Sequence, residues 1–124
     1  TVWSIFTDFK NYPNWNPFIK SIEGEIKVGE RFQAEIGSFK FKPTTKVYNQ
    51  EEELTWLGRL LIPDVFDGRH SFQFKENSDG TTSLIQSERF SGILVPFMKK
   101  KLNTEIKANF ESMNEKLKEL AEKA

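Results

Sequence analysis

The spacing of apolar residues changes once along the chain, and this change limits the fold more than any other feature. From Ile19 to Arg89 apolar residues recur at every second position, as in half-buried strands. From Met98 onward they recur every three or four positions, as in an amphipathic helix. About 27 residues at 1.5 Å each give a helix of roughly 40 Å, long enough to cross a small sheet. The sequence therefore predicts an α+β fold, a curved antiparallel sheet wrapped around a long C-terminal helix. The apolar stripe of that helix consists of Met98, Leu102, Ile106, Phe110, Met113, Leu117, Leu120 and Ala124.

Turn residues divide the alternating region into six predicted strands of an up-and-down meander. The strands are residues 19–27, 31–37, 40–49, 53–61, 68–76 and 81–91. Asp79-Gly80 is the most specific turn, because glycine accepts the positive φ of a tight hairpin. Before the strands, Thr1 can cap a short helix, and the corner at residues 11–18, rich in Pro and Asn, leaves room for a second one.

Composition excludes several classes of function. A length of 124 residues, with 37% hydrophobic and 29% charged, predicts a single domain over residues 1–124. Eighteen Lys and Arg balance eighteen Asp and Glu, so we expect no nucleic-acid partner, and Lys99-Lys100-Lys101 is interpreted as a solvated helical turn. No apolar run approaches a membrane span, so we expect no stable membrane insertion and a cytoplasmic location. With no Cys and one His, no metal and no cofactor are expected.

Aromatic residues make up 14% of the chain, and alternation places many of them on the sheet face that looks toward the helix. The same face carries three polar side chains, which is the pattern of a ligand cavity with a few polar groups. An equally open alternative is that these polar groups hydrogen-bond one another as a structural network. The predicted cavity residues are Trp56, His70, Phe72, Phe74, Gln86, Glu88, Phe90, Ile106 and Phe110.

His70 and Glu88 are the one pair that resembles acid/base machinery, because a histidine near a carboxylate can be tuned for proton transfer. They are therefore the candidate catalytic residues. A histidine among strand aromatics also has a purely structural interpretation. The sequence contains no Gly-rich phosphate loop, nucleophile elbow or metal-ligand spacing.

Three loops of the meander fall at one end of the predicted sheet and are apolar where exposed loops are usually polar. They are interpreted as a portal for a hydrophobic ligand, with a plug that closes the end of the sheet as the alternative. The predicted portal residues are Leu61, Ile62, Val65, Phe66, Leu94, Val95 and Phe97.

Motifs along nearly the whole chain resemble a known family. They are Val2-Trp3, Phe6-Thr7-Asp8-Phe9, the corner from Tyr12 to Phe18, Gly24, Gly29, Phe41, Pro43, Leu54-Thr55-Trp56-Leu57-Gly58, Gly68-Arg69-His70-Ser71-Phe72, Gly80-Thr81-Thr82 and Glu88-Arg89-Phe90-Ser91-Gly92. Together they resemble the START-like helix-grip superfamily (SRPBCC), in particular its bacterial branch of polyketide cyclase/dehydrase and lipid-transport-like proteins. The resemblance implies a helix-grip fold with a cavity for a lipid, polyketide or other ring compound, and no single catalytic motif.

The chain differs from this family in one respect. Members normally begin with a strand before the first helix, whereas here Thr1 stands where the predicted first helix starts. Two interpretations follow: either the chain is trimmed or incomplete, or its sheet has an exposed edge, which a homodimer or a swapped segment can cover. Three functional hypotheses follow. The first is a non-enzymatic carrier or sensor of a hydrophobic small molecule. The second is a cyclase- or dehydrase-type enzyme that uses His70 and Glu88, and the third is a protein-interaction or regulatory module.

Overall fold

The computed structural model describes residues 2–36, 39–60, 66–91, 104 and 107–123. Within these residues, seven antiparallel strands form two sheets, and a C-terminal helix and short N-terminal helices pack against them. The helices described are α1 (Val2–Phe6), α2 (Tyr12–Trp15) and α3 (Lys107–Lys123), with a 3₁₀ turn at Phe9–Asn11. The strands are β1 (Ile19–Glu23), β2 (Gln33–Ile36), β3 (Phe39–Phe41), β4 (Thr44–Asn49), β5 (Glu53–Leu60), β6 (Phe66–Glu76) and β7 (Thr82–Ser91). Strands β1-β2-β3 form one sheet and β4-β5-β6-β7 the other.

The α+β helix-grip architecture predicted from the sequence is confirmed, with one correction to the strands. The predicted third strand, 40–49, is divided into β3 and β4 around Pro43. Proline has no backbone N–H and cannot continue a ladder, and here its carbonyl accepts a hydrogen bond from the Phe32 backbone N–H. An isolated bridge between Arg31 and Thr44 then joins the two sheets. The break at Pro43 therefore turns the chain from one sheet into the other.

The predicted helix over residues 98–124 is described from Lys107 to Lys123. Its buried side chains are Phe110, Met113 and Leu117, three members of the predicted apolar stripe. Exposed Lys and Glu side chains pair along its outer surface, for example Lys123 with Glu119 at 3.0 Å. The helix contacts both α1 and β7. It therefore lies across the sheet as the stripe requires.

The register of the larger sheet defines three rows of residues on its inner face, because directly opposed residues of antiparallel strands point to the same side. From β5 through β6 to β7 the rows are Leu54, Phe72 and Gln86; Trp56, His70 and Glu88; and Gly58, Gly68 and Phe90. The predicted cavity residues on these strands thus share one face. Among the described strands, β6 is the one that pairs with β7.

Aromatic side chains from α1 fill the part of the inner face around the first row. The Phe6 ring lies 4.7 Å from Phe72 and 5.0 Å from Phe74, and the Trp3 ring lies 5.0 Å from Phe74. The Tyr12 hydroxyl donates a hydrogen bond to the Phe6 backbone oxygen, which fixes α2 against α1. We call Trp3, Phe6, Phe72 and Phe74 the α1 plug, because these rings occupy this end of the interior.

We expect the Phe6→Ala substitution to lower the free energy of unfolding by about 3–5 kcal/mol, the usual cost of removing a buried phenyl ring. The Phe6 side chain is 0% exposed and contacts two other plug rings. Urea denaturation followed by circular dichroism measures the change. Ile85→Ala is the matched control, because Ile85 is 59% exposed and its loss should alter stability by no more than about 0.5 kcal/mol. Equal effects of the two substitutions would contradict the packing described here.

Candidate functional site

His70 is buried in the centre of the inner face between two aromatic rings. Its ring lies 4.6 Å from Phe72 and 4.8 Å from Phe110, with interplanar angles of 19° and 28°. The Trp56 ring lies 5.1 Å away on the neighbouring strand. The side chain is 1% exposed, and this burial lowers the pKa of His70 to about 4. The imidazole is therefore neutral near pH 7 and packs as an aromatic ring.

A chain of hydrogen bonds connects His70 to the C-terminal helix. His70 Nε2 lies 2.8 Å from Gln86 Oε1, and Gln86 Nε2 donates to Asn114 Oδ1 at 2.7 Å. Because an amide oxygen only accepts, this network assigns the proton of the neutral imidazole to Nε2. The three side chains thereby link β6, β7 and α3. This arrangement has the features of the structural network that was the alternative to a ligand-lined cavity.

Glu88 lies directly opposite His70 in the β6–β7 register, but its carboxyl group points to a glycine. A Cβ atom placed on Gly68 would overlap a Glu88 carboxylate oxygen, so the carboxyl group occupies the space that a side chain would fill. Burial raises the pKa of Glu88 to about 7. Within the described part of the chain, no hydrogen bond to this carboxyl group is present.

Two glycines leave the third row of the inner face without side chains on adjacent strands. Gly58 and Gly68 are directly opposed, and Phe90 follows Gly68 in the same row. The nearest described atom to a Cβ built on Gly58 is the Gly68 oxygen at 3.9 Å, and Phe90 Cδ1 lies 3.6 Å from a Cβ on Gly68. We call Gly58, Gly68, Glu88 and Phe90 the glycine notch. In this row the inner face consists of the backbone of the two glycines, the Glu88 carboxyl group and the Phe90 ring.

The structure distributes the predicted cavity residues over three parts of the inner face: the glycine notch, the α1 plug and the surroundings of His70. Glu88 and Phe90 lie at the glycine notch, with Trp56 and His70 in the neighbouring row. Phe74 instead belongs to the α1 plug, at the other end of the inner face. Phe72, Gln86 and Phe110 pack on or hydrogen-bond to His70. The predicted residues Ile106, Leu61, Ile62, Val65, Leu94, Val95 and Phe97 lie outside the described residues, and Phe66 begins β6.

Three residues that matter to this region were not among the predicted site residues: Gly58, Gly68 and Asn114. An isolated glycine inside a strand signals a close approach of other atoms, and both glycines carried that signal within or at the start of predicted strands. Asn114 had no comparable signal, because an asparagine on a helix otherwise covered with Lys and Glu has the pattern of a solvated face. Its contact with Gln86 requires the tertiary structure.

A depression lies between α1 and the β4–β5 turn. It has a volume of about 610 Å³ and is lined by Trp3, Ser4, Thr7, Tyr48, Gln50 and Glu51. Thr7 there donates its hydroxyl hydrogen to the Trp3 carbonyl at 2.8 Å, so this polar group is already used within α1. None of the predicted cavity residues lines this depression.

Over the described ranges, no three His, Asp or Glu side chains are grouped so that they could hold a metal ion. In the same ranges, no helix has the length and apolar character needed to cross a bilayer.

The pKa of His70 is lowered and that of Glu88 is raised, so the free energy of unfolding should depend on pH through both groups. Between the ordinary pKa of 4.5 and about 7, folded Glu88 keeps a proton that the unfolded chain releases, so its contribution to stability is lost as pH rises. Between about 4 and 6.5, unfolded His70 binds a proton that the folded chain excludes, so its contribution increases with pH. In the shared range the two effects oppose each other.

We expect Glu88→Gln to gain stability relative to the parent chain as pH rises from 4.5 to 7, by on the order of 3 kcal/mol. Urea denaturation at half-unit pH intervals measures the difference. Ser87→Ala, on the exposed outer face of the same strand, is the control and should follow the parent at every pH. A constant difference between Glu88→Gln and the parent would show that the carboxyl group is not held in a poorly solvated place.

Solved structures share this architecture at low sequence identity. A hypothetical protein of Helicobacter pylori, jhp0584, superposes with a TM-score of 0.79 at 14% identity, over 94% of this chain and 76% of that one. An uncharacterised Bacillus thuringiensis protein gives 0.70 at 20% identity, over 94% and 85%. Staphylococcus aureus SA2116, of unknown function, gives 0.66 at 19% identity, over 98% and 85%. These similarities concern the fold.

The amino-acid sequence identifies the family to which the chain belongs. No curated protein matches the chain. The family described as polyketide cyclase / dehydrase and lipid transport matches residues 1–122, nearly the full length. The protein belongs to the polyketide cyclase/dehydrase and lipid transport family.

Proposed function

We propose that the protein binds an apolar small molecule between the larger sheet and α3, with the ligand seated on the glycine notch. The observation that carries this proposal is the opposed pair Gly58 and Gly68, which leaves the inner face without side chains where the neighbouring rows are densely packed. The family's description, which includes lipid transport and polyketide chemistry, supports a ligand of this kind. Aromatic surface next to a few polar groups is typical of such sites.

The packing of the remaining inner face supports this position over the wider cavity predicted from sequence. The α1 plug fills the first row, and His70 in the second row is enclosed by Phe72 and Phe110. A ligand would have to displace buried rings to occupy either place, and close-packed interiors resist that. At the third row it would meet Phe90, the Glu88 carboxyl group and the glycine backbone.

The contacts of His70 favour binding over catalysis by the His70–Glu88 pair. An acid/base pair needs a histidine nitrogen within reach of the substrate and a pKa near the working pH. Here Nε2 is hydrogen-bonded to Gln86, and burial lowers the pKa of His70 to about 4. The two rings that stack on the imidazole also restrict access to it. We therefore assign His70 a structural role and the ligand contact to the notch.

Filling the notch should prevent binding without unfolding the chain. Gly58→Val adds a side chain where the nearest described atom would be 3.9 Å from Cβ, and valine is well suited to a strand. We expect this variant to bind the neutral fluorescent ketone prodan at least tenfold more weakly than the parent, because the added isopropyl group occupies the ligand's place. The blue shift of prodan emission on binding is the readout.

The matched control is Ser87→Val, which adds the same kind of side chain to the exposed outer face of the same sheet. It should bind prodan as the parent does. Circular dichroism and urea denaturation establish that both variants are folded. Parent-like prodan affinity in a folded Gly58→Val protein would locate the ligand elsewhere, and failure of the parent to bind prodan would remove the support for this ligand class.

A further inference from the structure

The carboxyl group of Glu88 is the polar feature of the glycine notch that packing alone does not explain. Of the four residues that define the notch, Glu88 alone carries a polar side chain. The carboxyl group lies against Gly68, and no hydrogen bond to it comes from the described residues. Glu88 is half-buried, and a polar group that is partly removed from water costs free energy unless a ligand or water supplies a hydrogen bond.

No described cation faces this carboxyl group from the elements around it. On β6 the residue opposite Glu88 is His70, which is neutral near pH 7. Beyond β6, the inner-face residues of β5 in the same two rows are Trp56 and Gly58, and neither is charged. Helix α3 presents Phe110 and Asn114 to this side of the sheet, while Lys107 and Glu111 are exposed. Arg89, next to Glu88 on β7, is opposed to Arg69 on β6, and both side chains are exposed. Because neighbouring residues of a strand point to opposite faces, this pair lies on the outer face of the sheet.

Partial burial disfavours the ionised form of the Glu88 carboxyl group. A ligand that displaces water from the notch would disfavour the ionised form further. A protonated carboxyl group keeps one O–H donor. The apolar edge of Phe90 and the backbone of the two glycines offer the ligand no competing side-chain donor. Backbone groups of Gly68, on the strand between β5 and β7, are directed to the neighbouring strands.

We infer that Glu88 is the recognition group of the notch, and that in its protonated form it donates a hydrogen bond to a carbonyl oxygen of an apolar ligand. Binding of such a ketone or ester therefore takes up a proton above neutral pH, and ligands that carry a carboxylate at this position are rejected. This inference rests on the proposed function and specifies the ligand class for the same site. The same burial raises the pKa of Glu88 to about 7, which is consistent with this inference.

The test compares prodan with the alcohol made by reducing its ketone, at pH 6 and pH 8.5. If only the protonated form of Glu88 binds the ketone, the parent chain should bind prodan about 30-fold more weakly at pH 8.5 than at pH 6. The alcohol should show no such loss, because its hydroxyl group can donate to the ionised carboxylate. The Ser87→Ala control should bind both probes with the same pH dependence of affinity as the parent.

Substitutions at Glu88 separate recognition from a structural role. Glu88→Gln keeps an N–H donor, so it should bind prodan within about threefold of the parent at pH 6 and equally well at pH 8.5. Glu88→Leu keeps the bulk without a donor, so it should bind about tenfold more weakly at both pH values. Restoration of binding by Gln and not by Leu is a result that a purely structural role would not produce.

Several outcomes overturn the inference while leaving the proposed function intact. They are prodan binding that does not depend on pH, a pH dependence that survives in Glu88→Gln, or equal pH dependence of ketone and alcohol. Affinity for prodan that rises with pH would assign the charged carboxylate to recognition instead. If the parent binds neither probe while Gly58→Val behaves like it, the proposed function fails together with the inference.

Discussion

The stacking of His70 between Phe72 and Phe110 is the contact on which the interior depends. It brings β6 and α3 together, and the Gln86 bridge to Asn114 fixes the same helix to β7. Burial between the two rings disfavours the charged imidazole and lowers the pKa of His70. The one histidine of the chain thus acts as a polar ring that orients three elements. Its row lies between the α1 plug and the glycine notch.

Packing at the filled end explains why aromatic residues are so numerous in a chain of this size. The α1 plug covers the first row of the sheet, and Tyr12 and Trp15 continue the ring contacts into α2. A five-residue helix has little stability of its own, since nucleation is costly and its backbone forms few internal bonds. The side chains Trp3 and Phe6 therefore hold α1 in place by burial.

Periodicity predicted the parts of the fold that depend on local pattern. The alternation through β5, β6 and β7 assigned the correct inner-face residues, and the three- and four-residue spacing located α3. The division at Pro43 was missed because alternation continues on both sides of it, although the proline itself is the signal. Pairing of His70 with Glu88 was a sensible expectation from shared face and register. The contacts that His70 makes depend on side-chain rotamers and on the position of α3. The alternation of strand residues gives no information on either.

The buried rings also set a limit of length on the ligand that we propose. Beyond the enclosed His70, the inner face of β6 continues from Gly68 to the first residue of the strand, Phe66. Two steps at about 3.3 Å each give roughly 7 Å. A rigid molecule aligned with the strands and longer than this would extend past the end of the strand, whereas fused rings or a folded chain lying across the strands would not. The proposed site therefore favours a compact ligand, independently of any polar contact.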